Sequence, residues 1–276
     1  MRIDLHSHSA ASDGTDPPAE VVARARAAGV DVLALTDHDT LAGLDAARAA
    51  LPPGLALVSG MELSSRLDGH SVHLLSYLPA GMSPGLAAET AAIREDRVRR
   101  GQAMVARLRE LGLDISWDQV AALAGGGSVG RPHIARAMVA AGAIGEPAEA
   151  FSPDWIGPGG RAYVSRYALD PVRAIGLVRG SGGAVVLAHP GAVSRGWRIP
   201  DQAIAELAGA GLAGLEVDHP DHGPAERDRL RALAARLGLL ATGGSDDHGS
   251  LTGHRLGCET TSPEAFGQLM AQTPAG

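Results

Sequence analysis

A chain of 276 residues, 45% of them apolar, is long enough for one large α/β domain or for a barrel carrying an insertion. Its 24 basic residues are all arginine, and against 31 acids they leave a formal charge of -7, which excludes a broad basic surface for long nucleic acid. Cys258 is the only cysteine, so neither an internal disulfide nor a thiolate metal cluster can form.

Aromatic residues make up only 3% of the chain, so the core must be built from Ala, Leu and Val. No charged and then apolar segment opens the chain, and no apolar run approaches the roughly 18 residues of a membrane span, so a soluble cytoplasmic protein is expected.

The first stretch, Ile3-Asp4-Leu5-His6-Ser7-His8, reads as a strand. Alternate residues share a face, so His6 and His8 project together, roughly 7 Å apart at about 3.3 Å of rise per residue. After a turn at Ser9-Ala10-Ala11-Ser12, Asp13 can curl back with a carboxylate, and this donor set suits Zn, Mn or Fe rather than Ca or Mg. Asp16 as N-cap and Pro17 start a helix that Gly29 closes. The run Val32 to Leu35 is a buried parallel strand whose polar end carries Asp37, His38 and Asp39, where barrels and open α/β sheets keep their chemistry. A helix over 41–50 stops at Pro52-Pro53-Gly54, and the strand 55–60 delivers Glu62. In the alternating segment from His70 to Tyr77, His70 and His73 fall on opposite faces, and His73 is favoured for the site.

From Pro84 to Phe151 three helical segments follow one another (86–111, 116–124 and 134–142) with no strand between them, which reads as a helical insertion. Its arginine run, Arg94, Arg97, Arg99 and Arg100, is expected to be a solvated face. The glycine-rich loop 125–130 leads into Arg131, Pro132 and His133 at a helix start, which is either an anion site or an ordinary connection. Strand, helix and strand are expected at 162–164, 171–179 and 184–188, the last ending in His189-Pro190-Gly191, with Arg195 within reach of a phosphate. The strand 214–217 carries Glu216 and ends near His219 and His222, whose roles stay open. A helix over 225–237 leads to the strand 239–242 and then to Ser245-Asp246-Asp247-His248.

The strand ends thus supply His6, His8, Asp13, His38, Glu62, His73, His189, Asp246 and His248. That exceeds the three or four ligands of a single ion and points to two or three divalent metals bridged by carboxylates. On four motifs, Asp4-Leu5-His6-Ser7-His8, Thr36-Asp37-His38-Asp39, Glu62 with His73, and His189-Pro190 with Ser245-Asp246-Asp247-His248, the chain resembles the PHP (polymerase and histidinol phosphatase) family. The resemblance implies an α/β fold, a distorted (β/α)7 TIM-like barrel over residues 1–83 and 152–276, with a helical insertion at 84–151 capping the site. It implies His6, His8 and Asp246 on one metal, Asp13, His38 and His248 on a second, His73 and His189 on a third, and Glu62 as the bridge. It also implies a stand-alone bacterial phosphoesterase of the nucleoside 3′,5′-bisphosphate phosphatase or 5′–3′ exoribonuclease type, with manganese favoured over iron or zinc. The competing enzymatic readings are a histidinol-phosphatase-like enzyme and an AMP or cyclic-phosphate hydrolase; the non-enzymatic one is a metal-binding polymerase-accessory module.

Two features of the residues sharpen the chemistry. With no lysine, a carboxylated-lysine bridge is impossible, and Glu62 must bridge instead. Three divalent ions against Asp13, Glu62 and Asp246 leave a net positive charge of about three, which a phosphate monoester dianion balances far better than a neutral amide. The expected partner is therefore a small phosphorylated substrate, a nucleotide or short RNA, and neither a membrane nor a long duplex. The expected reaction is in-line attack by a metal-bridging hydroxide, with Asp13 among the catalytic ligands. Arg131, His133 and Arg195 would orient phosphate, and His133 or His248 would assist the leaving oxygen.

Overall fold

The computed structural model describes residues 1–125, 129–192 and 197–273. Among these, one sheet holds seven strands in simple chain order: β1 (Ile3–Asp4), β2 (Val32–Leu35), β3 (Ala56–Leu67), β4 (His70–Tyr77), β5 (Ala184–Leu187), β6 (Gly214–Asp218) and β7 (Leu240–Gly243). β1, β2 and β3 pair in parallel, as do β5, β6 and β7, whereas β4 runs antiparallel to both neighbours. The reversal follows from the link between β3 and β4: Asp68 and Gly69 both have positive φ (48° and 84°), the backbone of a tight hairpin rather than of a helical crossover. Beyond β1 and β7 the sheet edges meet, with Asp246 N–H donating to His6 O and His8 N–H to Asp247 O, each at 2.9 Å. The sheet therefore nearly closes, as the expected seven-stranded barrel-like α/β fold requires.

Helices clothe the outside. α1 (Pro18–Ala27) and α2 (Leu44–Ala49) lay Val21, Val22, Ala25, Leu44 and Ala47 on Leu33 and Leu35 of β2. α6 (Pro171–Gly180), α7 (Asp201–Gly209) and α8 (Pro224–Leu237) bury Ile175, Val178, Ile204, Leu207, Leu230 and Leu233 against β5 and β6. Each such side chain contributes about 1.5–3 kcal/mol by leaving water. α9 (Pro263–Met270) closes the far side with Leu269 beside Ile3 and Val186. Between β4 and α6, the helices α3 (Pro84–Glu110), α4 (Trp117–Leu123) and α5 (Arg131–Ala140) follow one another and share their own core of Met104, Leu108, Val120, Ile134 and Met138. Ser116 and Gln119 form a reciprocal capping box that starts α4.

Four expectations need correction. Only Ile3 and Asp4 join the β1 ladder; residues 5–8 run on between flanking loops, with Thr36 N–H donating to Ser7 O at 2.8 Å. β3 extends to Leu67 because the hairpin partner β4 continues its pairing. Residues 162–164 form no strand: Ala162 is buried in the helical core, while the carbonyls of Tyr163 and Val164 accept from the side chains of Arg107 and Arg100. The arginine run of α3 is not a solvated face. Arg94 donates to Asp39 O at 2.7 Å, Arg97 pairs with the Asp39 carboxylate at 2.6 Å, Arg100 donates to Val164 O at 2.6 Å, and only Arg99, 73% exposed, points to water.

Candidate metal centre

The carboxyl ends of the parallel strands converge on Glu62, and local structure explains how each donor arrives. Asp37 does not join them; its carboxylate accepts from Ser9 N–H (2.8 Å), Ser9 Oγ (2.7 Å) and Ser12 Oγ (2.6 Å), which folds the turn that returns Asp13 to the site. Asp4 likewise accepts from the backbone N–H groups of His6, Ser245 and Gly257, tying the first strand to the last. An isolated parallel bridge sets His38 opposite Glu62, and the antiparallel ladder sets His73 opposite Ser64. His189 and Asp246 sit at φ values of 29° and 48°, left-handed backbone that costs a non-glycine residue about 1–3 kcal/mol.

The distances are those of one buried cage. Glu62 Oε2 lies 3.3 Å from His6 Nε2, 3.1 Å from His8 Nε2 and 3.3 Å from His38 Nδ1, while Oε1 faces His73 Nδ1 at 2.6 Å and His189 Nε2 at 2.9 Å. Asp246 Oδ1 is 3.2 Å from His6 Nε2 and 3.3 Å from His8 Nε2. Asp13 stands 3.7 Å from His38 Nε2 and 3.3 Å from His248 Nε2. The structure thus brings together all nine predicted ligands. Their donor atoms fall into overlapping groups that could each hold an ion: His6, His8, Glu62 and Asp246; His8, Asp13, His38 and His248; His38, Glu62 and His73.

Electrostatics supports the fit. Burial opposes charge on His8, yet Asp246 and Glu62 outweigh it and lift the imidazole to about 10; Glu216, Asp246 and Glu62 likewise outweigh burial and hold His6 well above its usual range. At His38 burial wins and pushes the ring down to about 3. Against their own burial, Asp13, Glu62 and Asp246 are held well below the usual carboxylate range by His38 and His248, by His38 and His73, and by His6 and His248. Protonated imidazoles among ionised carboxylates carry positive charge where a divalent cation would supply it, and binding would displace those protons. The Nδ1 atoms of His8 and His38 are buried with no hydrogen-bond partner among the described residues, polar atoms left unsatisfied beside the cage.

Three residues left open in the sequence gain places. Glu216 is fully buried; its Oε1 meets His6 Nδ1 at 2.9 Å and its Oε2 accepts from His189 N–H at 2.8 Å. A carboxylate only accepts, so Nδ1 would keep its proton when metal binding displaces the one on Nε2, and the lone pair freed there would face the cage. His219 Nε2 is 3.2 Å from Asp246 Oδ2, and His222 bonds Val217 O and Gly191 N–H. The available signal for Glu216 was a charged residue inside an otherwise apolar central strand. His133 is buried, and its Nδ1 accepts from Gly130 N–H at 3.0 Å, so the neutral ring carries its proton on Nε2; burial lowers its pKa. Arg131 lies over the Phe151 ring at 5.3 Å, and Arg195 falls outside the described residues.

Comparison with known proteins agrees with this geometry. The family model of the PHP domain matches residues 4–112. A 3′,5′-nucleoside bisphosphate phosphatase of Chromobacterium violaceum is 36% identical over 255 residues, covering 92% of this chain and 89% of that protein. The 5′–3′ exoribonuclease Rnm of Salmonella typhimurium is 35% identical over 248 residues, covering 89% and 84%. A solved structure from Bifidobacterium adolescentis, provisionally described as a metal-dependent phosphoesterase, superposes with a TM-score of 0.93 at 35% identity, covering 99% of this chain and 96% of that one. With its cage of imidazoles and carboxylates at the ends of a nearly closed seven-stranded sheet, the chain belongs to the PHP family.

Proposed function

We propose that this chain is a metal-dependent phosphoesterase that hydrolyses phosphate esters of nucleotides or short oligonucleotides. The observation that carries the reading is the convergence of five histidines on the two oxygens of Glu62, a bridging carboxylate in the making. In this reading His6, His8 and Asp246 hold one divalent ion, Asp13, His38 and His248 a second, and His73 and His189 a third, with Glu62 shared. Manganese is favoured, and iron or zinc would accept the same donors. When bound, such ions would polarise phosphate and lower the pKa of water toward about 7. Water oxygen adds to phosphorus and gives up a proton, the ester P–O bond breaks, and the departing alkoxide takes up that proton. His133, neutral with its proton on Nε2, is suited to hydrogen-bond the departing oxygen as its charge develops, and Arg131 to orient the phosphate. The helical segment 84–151 caps the site, since its residues Arg94 and Arg97 hydrogen-bond Asp39 beside His38.

No helix among the described residues is long and apolar enough to cross a membrane, and a cytoplasmic place among nucleotides suits this reading. The test is product release from adenosine 3′,5′-bisphosphate, AMP, histidinol phosphate and a 5′-phosphorylated oligoribonucleotide, side by side with added Mn. Turnover of the bisphosphate or the oligoribonucleotide above the other two is expected. Silence on all four with metal bound would replace the enzyme with an accessory module.

A further inference from the structure

Asp246 divides its two oxygens between different neighbours. Oδ1 faces the cage, 3.2 Å from His6 Nε2 and 3.3 Å from His8 Nε2, whereas Oδ2 meets His219 Nε2 at 3.2 Å. The torsion that turns a carboxylate is broad, so an aspartate held only by its backbone can present either oxygen or both. The backbone is held separately: Asp246 sits at a φ of 48°, and Arg255 donates to its carbonyl at 2.9 Å.

The second nitrogen of His219 fixes where its proton lies. Asp221 N–H donates to Nδ1 at 3.0 Å, and a backbone N–H only donates, so Nδ1 keeps its lone pair and the ring proton is on Nε2, aimed at Asp246 Oδ2. His219 is fully buried, and its main chain is pinned by Arg227 of α8, which donates to His219 O at 2.9 Å and His222 O at 2.8 Å while pairing with Glu259 at 2.5 Å. His6, Glu216 and His219 stand close enough to share an ion of their own. Yet His6 Nδ1 is engaged by Glu216 at 2.9 Å, and a protonated Nε2 on His219 has no lone pair to give. The arrangement makes His219 a hydrogen-bond donor to the cage rather than a further ligand.

We propose that His219 is a positioning residue that commits Asp246 to the cage through Oδ1 alone, and that this bond helps the centre favour Mn, Fe or Zn over calcium. Calcium takes about six to eight oxygens, often both of one carboxylate, and an Asp246 whose Oδ2 is already occupied offers it only one. The inference rests on the reading of the cage as a metal centre and is independent of the substrate.

Two variants separate the two bonds of the ring. His219→Asn keeps an oxygen that can accept from Asp221 N–H but is too short to reach Asp246; His219→Gln keeps an N–H that can reach Asp246 Oδ2 and gives up the bond to Asp221. The probe is Mn titrated into the chelator-treated full chain against a chelating fluorophore, repeated with calcium as competitor, with circular dichroism as the folding control. His219→Asn should lower Mn affinity about 10–100-fold and narrow the margin of Mn over calcium, while His219→Gln should stay within about threefold of the unaltered protein on both counts. A second readout needs no variant: in the Zn-loaded protein, two-bond 1H–15N spectra should show His219 with its proton on Nε2. Equal losses in the two variants, no loss in either, or a His219 ring that is protonated on Nδ1 alone or bound to zinc overturns the role of His219 while the metal centre stands. An unaltered protein that binds no Mn removes both.

Discussion

Replacing Glu216 by Gln should weaken the metal centre without unfolding the protein, although Glu216 touches none of the carboxylates of the cage. The Glu216 carboxylate offers two acceptors to two donors, Oε1 to His6 Nδ1 at 2.9 Å and Oε2 to His189 N–H at 2.8 Å. Glutamine keeps the shape but has one acceptor oxygen, so its NH2 must confront one of those donors. If the amide faces His6, the ring moves its proton to Nε2 and withdraws the lone pair from the cage; if it faces the amide of His189, a buried N–H is left without a partner, at about 1–3 kcal/mol. Removing an orienting group behind a metal-bound histidine typically costs 10–100-fold in metal affinity or activity, which is about 1.4–2.7 kcal/mol. The assay is competition for Mn against a chelating fluorophore, run with kcat/KM on the same preparation and far-UV circular dichroism as the folding control. Unchanged affinity and unchanged kcat/KM in a folded Glu216→Gln protein would refute the idea that this carboxylate sets the His6 tautomer.

Asp13→Ala or His38→Ala should lower kcat by orders of magnitude with folding intact, measured by phosphate release and circular dichroism; retained activity would remove both from the site. The metal-free protein should be most stable near pH 6.5. His8, raised to about 10, contributes fully below its ordinary 6.5 and loses that contribution as pH climbs, whereas His38, lowered to about 3, contributes above 6.5 and loses it as pH falls. Thermal melts of chelator-treated protein across pH should therefore fall on both sides. Mn-loaded protein should not show the alkaline loss, and a flat metal-free profile would count against the charge balance drawn here. Gly244→Ala would set a Cβ 2.5 Å from His6 Cβ and 2.7 Å from His6 N, so the His6 strand must shift. Mn affinity should drop at least tenfold in a competition titration, and wild-type binding would show that the barrel end absorbs the methyl group elsewhere.

The residues of the cage were legible because most sit at or near the polar end of an apolar run, where period-two alternation leaves little choice of face. His73 against His70 was decided that way, and His70 indeed turns outward to stack on Trp197 at 4.3 Å. What could not be read was how the remaining acids are used. Asp37, Asp39 and Asp247 flank histidines much as Asp246 does, yet each spends its oxygens on hydroxyls, backbone N–H groups or Arg97. For Asp37 and Asp39 that use depends on hydrogen-bond partners from distant segments, which spacing does not encode. The arginines of α3 were misread for the same reason: their acceptors, Asp39 and the carbonyl of Val164, lie 58 and 64 residues away.

Those arginines and the cage share one physical problem, and its solution links the helical segment to the sheet. Asp39 has φ of 55° and its carboxylate is fully buried, so it would be both strained and unstable alone. Arg97 holds it ionised despite burial, while Ser64 N–H donates to Oδ1 at 2.6 Å and Ser64 Oγ to Oδ2 at 2.9 Å. The same Ser64 pairs with His73 across the β3–β4 hairpin. A movement of α3 that withdrew Arg97 would therefore leave a buried carboxylate unpaired next to His38 and loosen the strand that presents Glu62. The helical segment and the buried cage are thus joined through Asp39.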